Sequence, residues 1–423
     1  MILVQEKEKQ TRGEVQYKGV EYAKINNYIC YQYPTSLGKT WTIIQVLEEL
    51  WRHDKNIKIL ILMPEIALIE NIKKEFIKFS KEYLLNNIDI YCYASLHKVE
   101  DKYKVLVCDE LHHSLSDLRK EELSRLKKIE RFLGASATID DWKIRELESI
   151  FRKEIFVHRV TLKDAIDWGI LATPTVCCFR LKLDNLKKDY TYEFLRGKKE
   201  NRVEIILEKE IDKWKYIKDK KNYPNLKIII KCTQKQKHDY LEQQADYFEQ
   251  QYLSDLSSKN SEYKKNRWLQ AELNIKRFLA EIKTPIVNKF LKDLKDKRYI
   301  IFANSIKQAQ ELAKENNGNV VSSEEKDSEK IIESFLEHKI NNLYAISKLQ
   351  EGINLDKIEL VVMVQLGGQK REFIQKIGRA LRNEENPEVY LFYYEGTKDE
   401  EYLNKVINNI SKDYTLLSDY FYN

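Results

Sequence analysis

Glycine and proline are scarce in this chain, 12 and 6 among 423 residues, so hinges and low-complexity linkers are few. No repeat of fixed period is visible, which excludes solenoids and propellers. The six cysteines form no C-x-x-C pair, which argues against a structural zinc. Cys30, Cys92, Cys108 and the Cys177–Cys178 pair lie in apolar, strand-like runs; Cys232 is the sixth. Buried reduced thiols are expected in such runs, as in a cytoplasmic compartment. No unbroken apolar stretch approaches the roughly 18 residues of a membrane span. The segment Met1–Lys7 lacks the basic and apolar regions of a secretory signal. A large excess of one charge sign is lacking as well: 73 Lys and Arg face 67 Asp and Glu, leaving +6. That is a mild lean toward polyanions and does not by itself establish a nucleic-acid partner.

What is present is alternation. A chain of 423 residues suggests two domains. Strands are expected at Ile57–Met63, Ile88–Tyr93, Val105–Asp109, Phe132–Ala135 and Ile155–Val160, with helical stretches such as Ile66–Phe79 and Leu118–Ile129 between them. A second alternating section has strands at Tyr299–Ala303, Asn319–Ser322, Leu343–Ser347, Leu360–Gln365 and Val389–Tyr394. Strand–helix alternation predicts parallel sheets flanked by helices. Between the two sections, Lys, Glu, Gln and Tyr dominate with helical periodicity over Glu204–Tyr216, Lys235–Leu256 and Asn266–Leu294. The expected division is a first α/β lobe at 1–178, a mostly helical insertion at 179–297 and a second α/β lobe at 298–423.

Two segments carry chemistry. Pro34-Thr35-Ser36-Leu37-Gly38-Lys39-Thr40 joins the β-prone run Tyr28–Tyr33 to apolar residues at helical spacing. A strand turning into a helix through Gly-Lys-Thr aims backbone N–H groups and the helix's positive end at one spot. Thr35, Ser36 and Gly38 shape that loop, Lys39 can reach the outer phosphates of ATP, and the Thr40 hydroxyl can ligate Mg²⁺. Tyr33 occupies a place where a small residue is usual, and Ser36 one where glycine is frequent. The second segment is Val105–His113, an apolar strand ending in Asp109-Glu110. Carboxylates there lie at the carboxyl edge of a parallel sheet, where such sheets bind ligands. Asp109 would hold Mg²⁺ through water and Glu110 would activate the attacking water. Asp-Glu after a strand is also an ordinary helix start; the phosphate loop upstream favours the catalytic reading.

Asp109-Glu110-Leu111-His112-His113 resembles motif II of the DExH type of superfamily 2 helicases. Ser136-Ala137-Thr138 resembles their motif III, which couples nucleotide state to nucleic-acid binding. Gln375-Lys376-Ile377-Gly378-Arg379-Ala380-Leu381-Arg382 resembles motif VI. The resemblance implies two RecA-like lobes closing on ATP. Arg379 and Arg382, three apart on one helix face, would come to the γ-phosphate from the second lobe. Arg382 is the expected finger, with Arg379 and Gln375 beside it. Weaker matches imply backbone contacts at Pro64 (motif Ia), Ser95 (Ib) and Ser305 (IV), a motif V at Gln350–Leu355 containing Gly352, and adenine recognition by Gln16. In motif V the usual Asp is Asn354, which loses a charge. His112 is read as an interlobe hydrogen-bonding residue. Thr161–Leu171 resembles the segment closing the first lobe in type III restriction motors and phage recombination helicases, so the likeness points to that branch.

The resulting expectation is an ATP- and Mg²⁺-dependent DNA helicase or translocase, with DNA favoured over RNA by the resemblance. The alternatives are a duplex translocase in a restriction or defence complex, with cleavage supplied by a nuclease partner, an RNA helicase, and a binding scaffold with an inactive ATPase. The Lys and Tyr residues interleaved over 213–264 could meet single strands, although a charged, solvated helix face is the plainer reading.

Overall fold

The computed structural model describes residues 9–111, 113, 116–199, 201–256, 260–294, 297–322, 324–325, 327–346, 358–367, 387–407 and 415–417. Among these, the first sheet comprises Tyr28–Gln32 (β1), Ile59–Met63 (β2), Ile88–Cys92 (β3), Val105–Cys108 (β4), Arg131–Ser136 (β5) and Phe156–Arg159 (β6). Its order is β3-β2-β4-β5-β1-β6, parallel throughout. Every residue of β2 and β4 is buried, as in a parallel sheet covered on both faces. Alternate side chains serve opposite cores. Ile59, Ile61 and Met63 pack with the helices Arg12–Ile25 (α1), Lys39–His53 (α2) and Ala67–Lys78 (α3). Leu60 and Leu62 pack with Asp117–Arg125 (α4) and Asp141–Phe151 (α5). Helix α1 opens with a capping box in which Thr11 and Glu14 satisfy each other's backbone N–H groups.

After Leu162–Asp167 (α6) the chain enters a second sheet made of Thr175–Leu181 (β7), Tyr299–Phe302 (β11), Asn319–Val321 (β12), Asn342–Ala345 (β13), Leu360–Met363 (β14), Glu388–Tyr394 (β15) and Thr415–Leu417 (β16). The order is β12-β13-β11-β14-β15-β7-β16, again parallel. Thus β7 runs through the boundary expected at 178/179 and lies between β15 and β16. The expected strands of both sections are present within one or two residues at each end.

The region between the sheets departs further from expectation. Helices dominate it, but Glu204–Tyr216, expected as one helix, contains the strand Val203–Leu207 (β9) and only a short helix, Lys213–Lys218 (α7). With Tyr190–Arg196 (β8) and Leu226–Cys232 (β10), β9 forms a small sheet ordered β8-β10-β9. The β-branched core of Ile205, Ile228 and Ile230, closed over by Tyr216, Tyr223 and Tyr240, overrides the helical look of the surrounding Lys and Glu. Two long helices follow, Gln234–Leu253 (α8) and Ser261–Leu291 (α9).

The 31 residues of α9 make a rod about 46 Å long. Ile275, Phe278, Leu279, Ile282, Val287, Phe290 and Leu291 bury the rod in the core of the second sheet. Pro285 removes one helical N–H, and lobe side chains bond the neighbouring turn: Gln308 donates to the Ala280 carbonyl (2.6 Å), Tyr394 to that of Ile282 (3.4 Å). Lys283 is fully buried and contacts Asp399 (2.6 Å) and the Gln365 side-chain oxygen Oε1 (2.8 Å), while the Gln365 side-chain amide donates to Asp399 (2.6 Å). The insertion is therefore joined to the second lobe as one packed body. No helix among the described residues is long and apolar enough to cross a membrane.

Removing one partner of this buried pair strands a charge, so Lys283→Met is expected to lower stability by about 3–5 kcal/mol in urea unfolding. Lys283→Met with Asp399→Leu should recover most of it.

Candidate nucleotide site at the edge of the first sheet

The carboxyl ends of β4, β5 and β1 are neighbours, in register at Cys108↔Gly134 and Gln32↔Ser136. The chain leaves β4 as Asp109-Glu110, leaves β5 just after Ser136, and leaves β1 as the phosphate loop. One further backbone bond, from Tyr33 N–H to the Ser136 carbonyl (3.1 Å), carries the pairing into that loop. The loop then turns through two left-handed residues, Ser36 (φ 77°) and Gly38 (φ 96°), before α2 starts at Lys39. Left-handed geometry is strained for serine and free for glycine. A Cβ at Gly38 would also displace the Gln16 amide from its place against the loop.

Lys39 Nζ donates to the Tyr33 carbonyl at 3.1 Å, so the ammonium rests across its own loop. Gln16, on α1, donates to the Leu37 carbonyl at 3.0 Å. Its amide thus touches the loop itself. Asp109 continues the sheet, its N–H donating to the Leu62 carbonyl (3.0 Å), and the Tyr93 hydroxyl caps the Asp109 carbonyl (2.8 Å). Glu110 is held left-handed at φ 43°. Ser136 Oγ lies 3.5 Å from the Glu110 carboxylate and donates to the Thr138 carbonyl (2.8 Å), linking the Ser-Ala-Thr segment to the acid pair. Thr40 and Asp109 line one small cavity behind the loop, with Ile43, Ile61 and Val107. The rest of that lining is apolar (Ile44, Met63, Ile72 and Phe76), so the cavity is no ion chamber. It shows only that Thr40 and Asp109 are neighbours, residues whose hydroxyl and carboxylate are of the oxygen-donor type that Mg²⁺ takes.

Pro64 and Ser95 follow β2 and β3 at the same edge. Ser305 follows β11 in the second sheet, where its hydroxyl accepts from Gln308 N–H as the cap of Ile306–Glu315 (α10). His112, Gly352, Gln375, Arg379 and Arg382 lie outside the described residues.

Sequence reasoning missed what Tyr33 does. Its ring is fully buried beneath the loop, and its hydroxyl pairs with His158 Nδ1 (2.6 Å) and reaches the Val15 carbonyl (3.4 Å). Burial raises its pKa, so the hydroxyl stays protonated. Gly19 of α1 makes the room: a Cβ there would stand 2.5 Å from that oxygen and 3.0 Å from Thr42. Tyr31 donates to the Gly19 carbonyl (3.0 Å). A bulky residue in a small residue's place was the available signal.

Two family models match in chain order. "Type III restriction enzyme, res subunit" covers residues 7–141, and "Helicase conserved C-terminal domain" covers residues 282–384. Together, in this order along one chain, the two matches support a superfamily 2 helicase. Within it, the restriction-enzyme match falls on the lobe bearing the phosphate loop, which puts the chain near the restriction-motor branch. A curated relative, the DNA 3'-5' translocase XPB2 of Sulfurisphaera tokodaii, is 22% identical over 386 residues, 86% of this chain and 77% of that protein. Among solved structures, the DUF1998 helicase MrfA bound to DNA and AMPPNP matches 96% of this chain at a TM-score of 0.57 and 15% identity. This chain spans about half of that structure, 52%. The type ISP restriction-modification enzyme LlaBIII bound to DNA gives 0.56 at 12% identity, over 98% of this chain and 31% of that one. Dbp5 of S. cerevisiae, bound to RNA and ADP BeF3, gives 0.55 at 12% identity, over 96% and 93%. At such identities the likeness establishes the fold, two RecA-like lobes.

Gly19→Ala is expected to destabilise the first lobe by about 1–3 kcal/mol through overpacking. Adding Tyr33→Phe, which removes the colliding oxygen, should recover part of that loss. Additive losses in a thermal-unfolding cycle would contradict the packing described.

Proposed function

We propose that this protein is an ATP-dependent DNA helicase or translocase that hydrolyses ATP at the phosphate loop of its first lobe and moves along the nucleic-acid backbone. The observation that carries the reading is the shared strand edge, which brings Lys39 and Thr40, Asp109 and Glu110, and Ser136 together. ATP phosphates fit the N–H groups of the loop and the start of α2. On their arrival Lys39 exchanges the Tyr33 carbonyl for phosphate oxygens. Thr40 and Asp109 would hold Mg²⁺, which when bound offsets phosphate charge. Glu110 orients a water and takes its proton, and the Ser136 contact passes the state of that carboxylate to the Ser-Ala-Thr segment. Arg379 and Arg382, delivered by the second lobe, stabilise charge on the transferring group, with Gln375 and Gly352 nearby and His112 between lobes. Gln16 reads adenine after giving up Leu37. Pro64, Ser95 and Ser305 face the backbone of the bound strand.

We assign residues 1–174 to the first lobe, β7 (Thr175–Leu181) and 298–423 to the second lobe, and 182–297 to an insertion fixed to the second lobe. DNA is favoured over RNA because the XPB2 relative and the restriction-enzyme family act on DNA. The name of XPB2, a DNA 3'-5' translocase, supports movement along DNA, and duplex translocation is kept as a second reading. A nuclease partner would then supply any cleavage, and the free cysteines suit a reducing cytoplasm.

Steady-state phosphate release tests the reading. DNA should stimulate turnover, and Lys39→Ala and Glu110→Gln should each reduce it to background. Arg382→Ala should lower it by about 10³ or more while ATP still binds. Turnover indifferent to DNA, or full turnover by Glu110→Gln, would contradict the reading.

A further inference from the structure

The basic excess of this chain has an address. Residues 182–232 contain fifteen Lys and Arg against nine Asp and Glu, an excess of six that equals the excess of the entire chain. Elsewhere the charges balance. That stretch is the small sheet β8-β10-β9 with α7 and its loops.

Within it the cations are sorted. Toward the middle of the sheet they are neutralised, Lys227 pairing with Glu193 (3.2 Å) and Glu204 (3.1 Å), Lys231 with Glu208 (2.7 Å). At one end they are not. The turn between β8 and β9 supplies Lys198, Lys199 and Arg202; the last residue of α7 and the loop after it supply Lys218, Lys220 and Lys221. All but Arg202 are exposed, and none of the six pairs with a described carboxylate.

The two loops are locked together. Asn225 accepts from Lys198 N–H through its side chain (2.8 Å) and from Val203 N–H through its carbonyl (3.0 Å). The Arg196 guanidinium donates to the carbonyls of Tyr216, Ile217 and Tyr223. The cations therefore sit on a fixed surface. The chain enters β8 at Tyr190 and leaves β10 at Cys232, both at the opposite end, beside the second lobe: Tyr190 packs on Phe278 of α9. A seven-residue strand spans about 20 Å, so the basic tip stands that far out from its attachment.

We propose that this tip is an accessory contact for the sugar-phosphate backbone of duplex nucleic acid, separate from the strand path over the two lobes. It suits phosphates first, because six cations gather there and Tyr223, between the two loops, turns inward onto Tyr216 (5.4 Å between rings); the exposed aromatic of the region, Trp214, stands at the start of α7. Fixed to the second lobe through α9, the contact moves with that lobe and holds duplex beside the motor. The proposal rests on the motor reading above.

The test is the variant Lys198→Gln/Lys199→Gln/Lys220→Gln/Lys221→Gln, which spares Arg196, Arg202 and the core. Binding of a 30-base-pair duplex is measured across a salt series, and ATP turnover with a 12-nucleotide single strand is measured beside it. Loss of two to four phosphate contacts would make the slope of log K against log [salt] shallower by about 2–4 for the duplex, while turnover on the short strand stays at the parent level. An unchanged duplex slope overturns the tip proposal alone, including the case in which the tip instead docks an acidic protein. If the parent itself neither binds duplex nor responds to the short strand, the motor reading fails, and the tip proposal with it.

Discussion

Strands β4, β5 and β1 lie side by side and run the same way, and their pairing decides where each loop of the candidate site must lie. Parallel pairing brings the three strand ends to one edge, so Asp109-Glu110 and the phosphate loop emerge on either side of Ser136, which contacts both. Without β5 in between, the acid pair and the loop would still share an edge, but nothing would bridge them. With it, Ser136 serves both sides: its carbonyl holds the first residue of the loop, and its hydroxyl stands beside Glu110. Two contacts on a single residue thereby join the loop and the acid pair to the Ser-Ala-Thr segment.

The same economy governs the surroundings of the loop. A buried tyrosine under a phosphate loop demands volume and a partner for its hydroxyl, and α1 supplies both, with Gly19 leaving the space and Val15 a carbonyl, while His158 on β6 supplies a ring nitrogen. These contacts fix α1, which carries Gln16, to the strand that feeds the loop. In the second lobe the Lys283–Asp399–Gln365 contacts do comparable work, joining the long helix of the insertion to the exit of β14 and to the helix beginning at Lys398. The insertion is therefore an arm carried by one lobe rather than a tether between two.

Much of this was legible in the sequence. Both parallel sheets follow from apolar runs alternating with helical patterns, because a strand covered on both faces needs nearly unbroken Val, Ile and Leu. The phosphate loop and the acid pair were legible because their chemistry requires particular residue types at a strand end. The small sheet was not. Ile228-Ile229-Ile230, bounded by Pro224 and Asn225, carries a strand signal, but charge at near-helical spacing outweighed it. The placement of β7 in the second sheet was also hidden, since pairing partners more than 200 residues apart leave no local pattern. The Gly19–Tyr33 fit is a contact between separate elements, visible only once the helix lies on the strand.

The central claim is that residues from distant parts of the chain complete one triphosphate pocket at the edge of the first sheet. A crystal structure with Mg²⁺ and a non-hydrolysable ATP analogue tests it most directly. The account predicts the γ-phosphate within hydrogen-bonding distance of Lys39 Nζ, a water between it and Glu110, and the guanidinium of Arg379 or Arg382 against its oxygens. A nucleotide bound away from Lys39, or both arginines turned to solvent with the analogue in place, would contradict it.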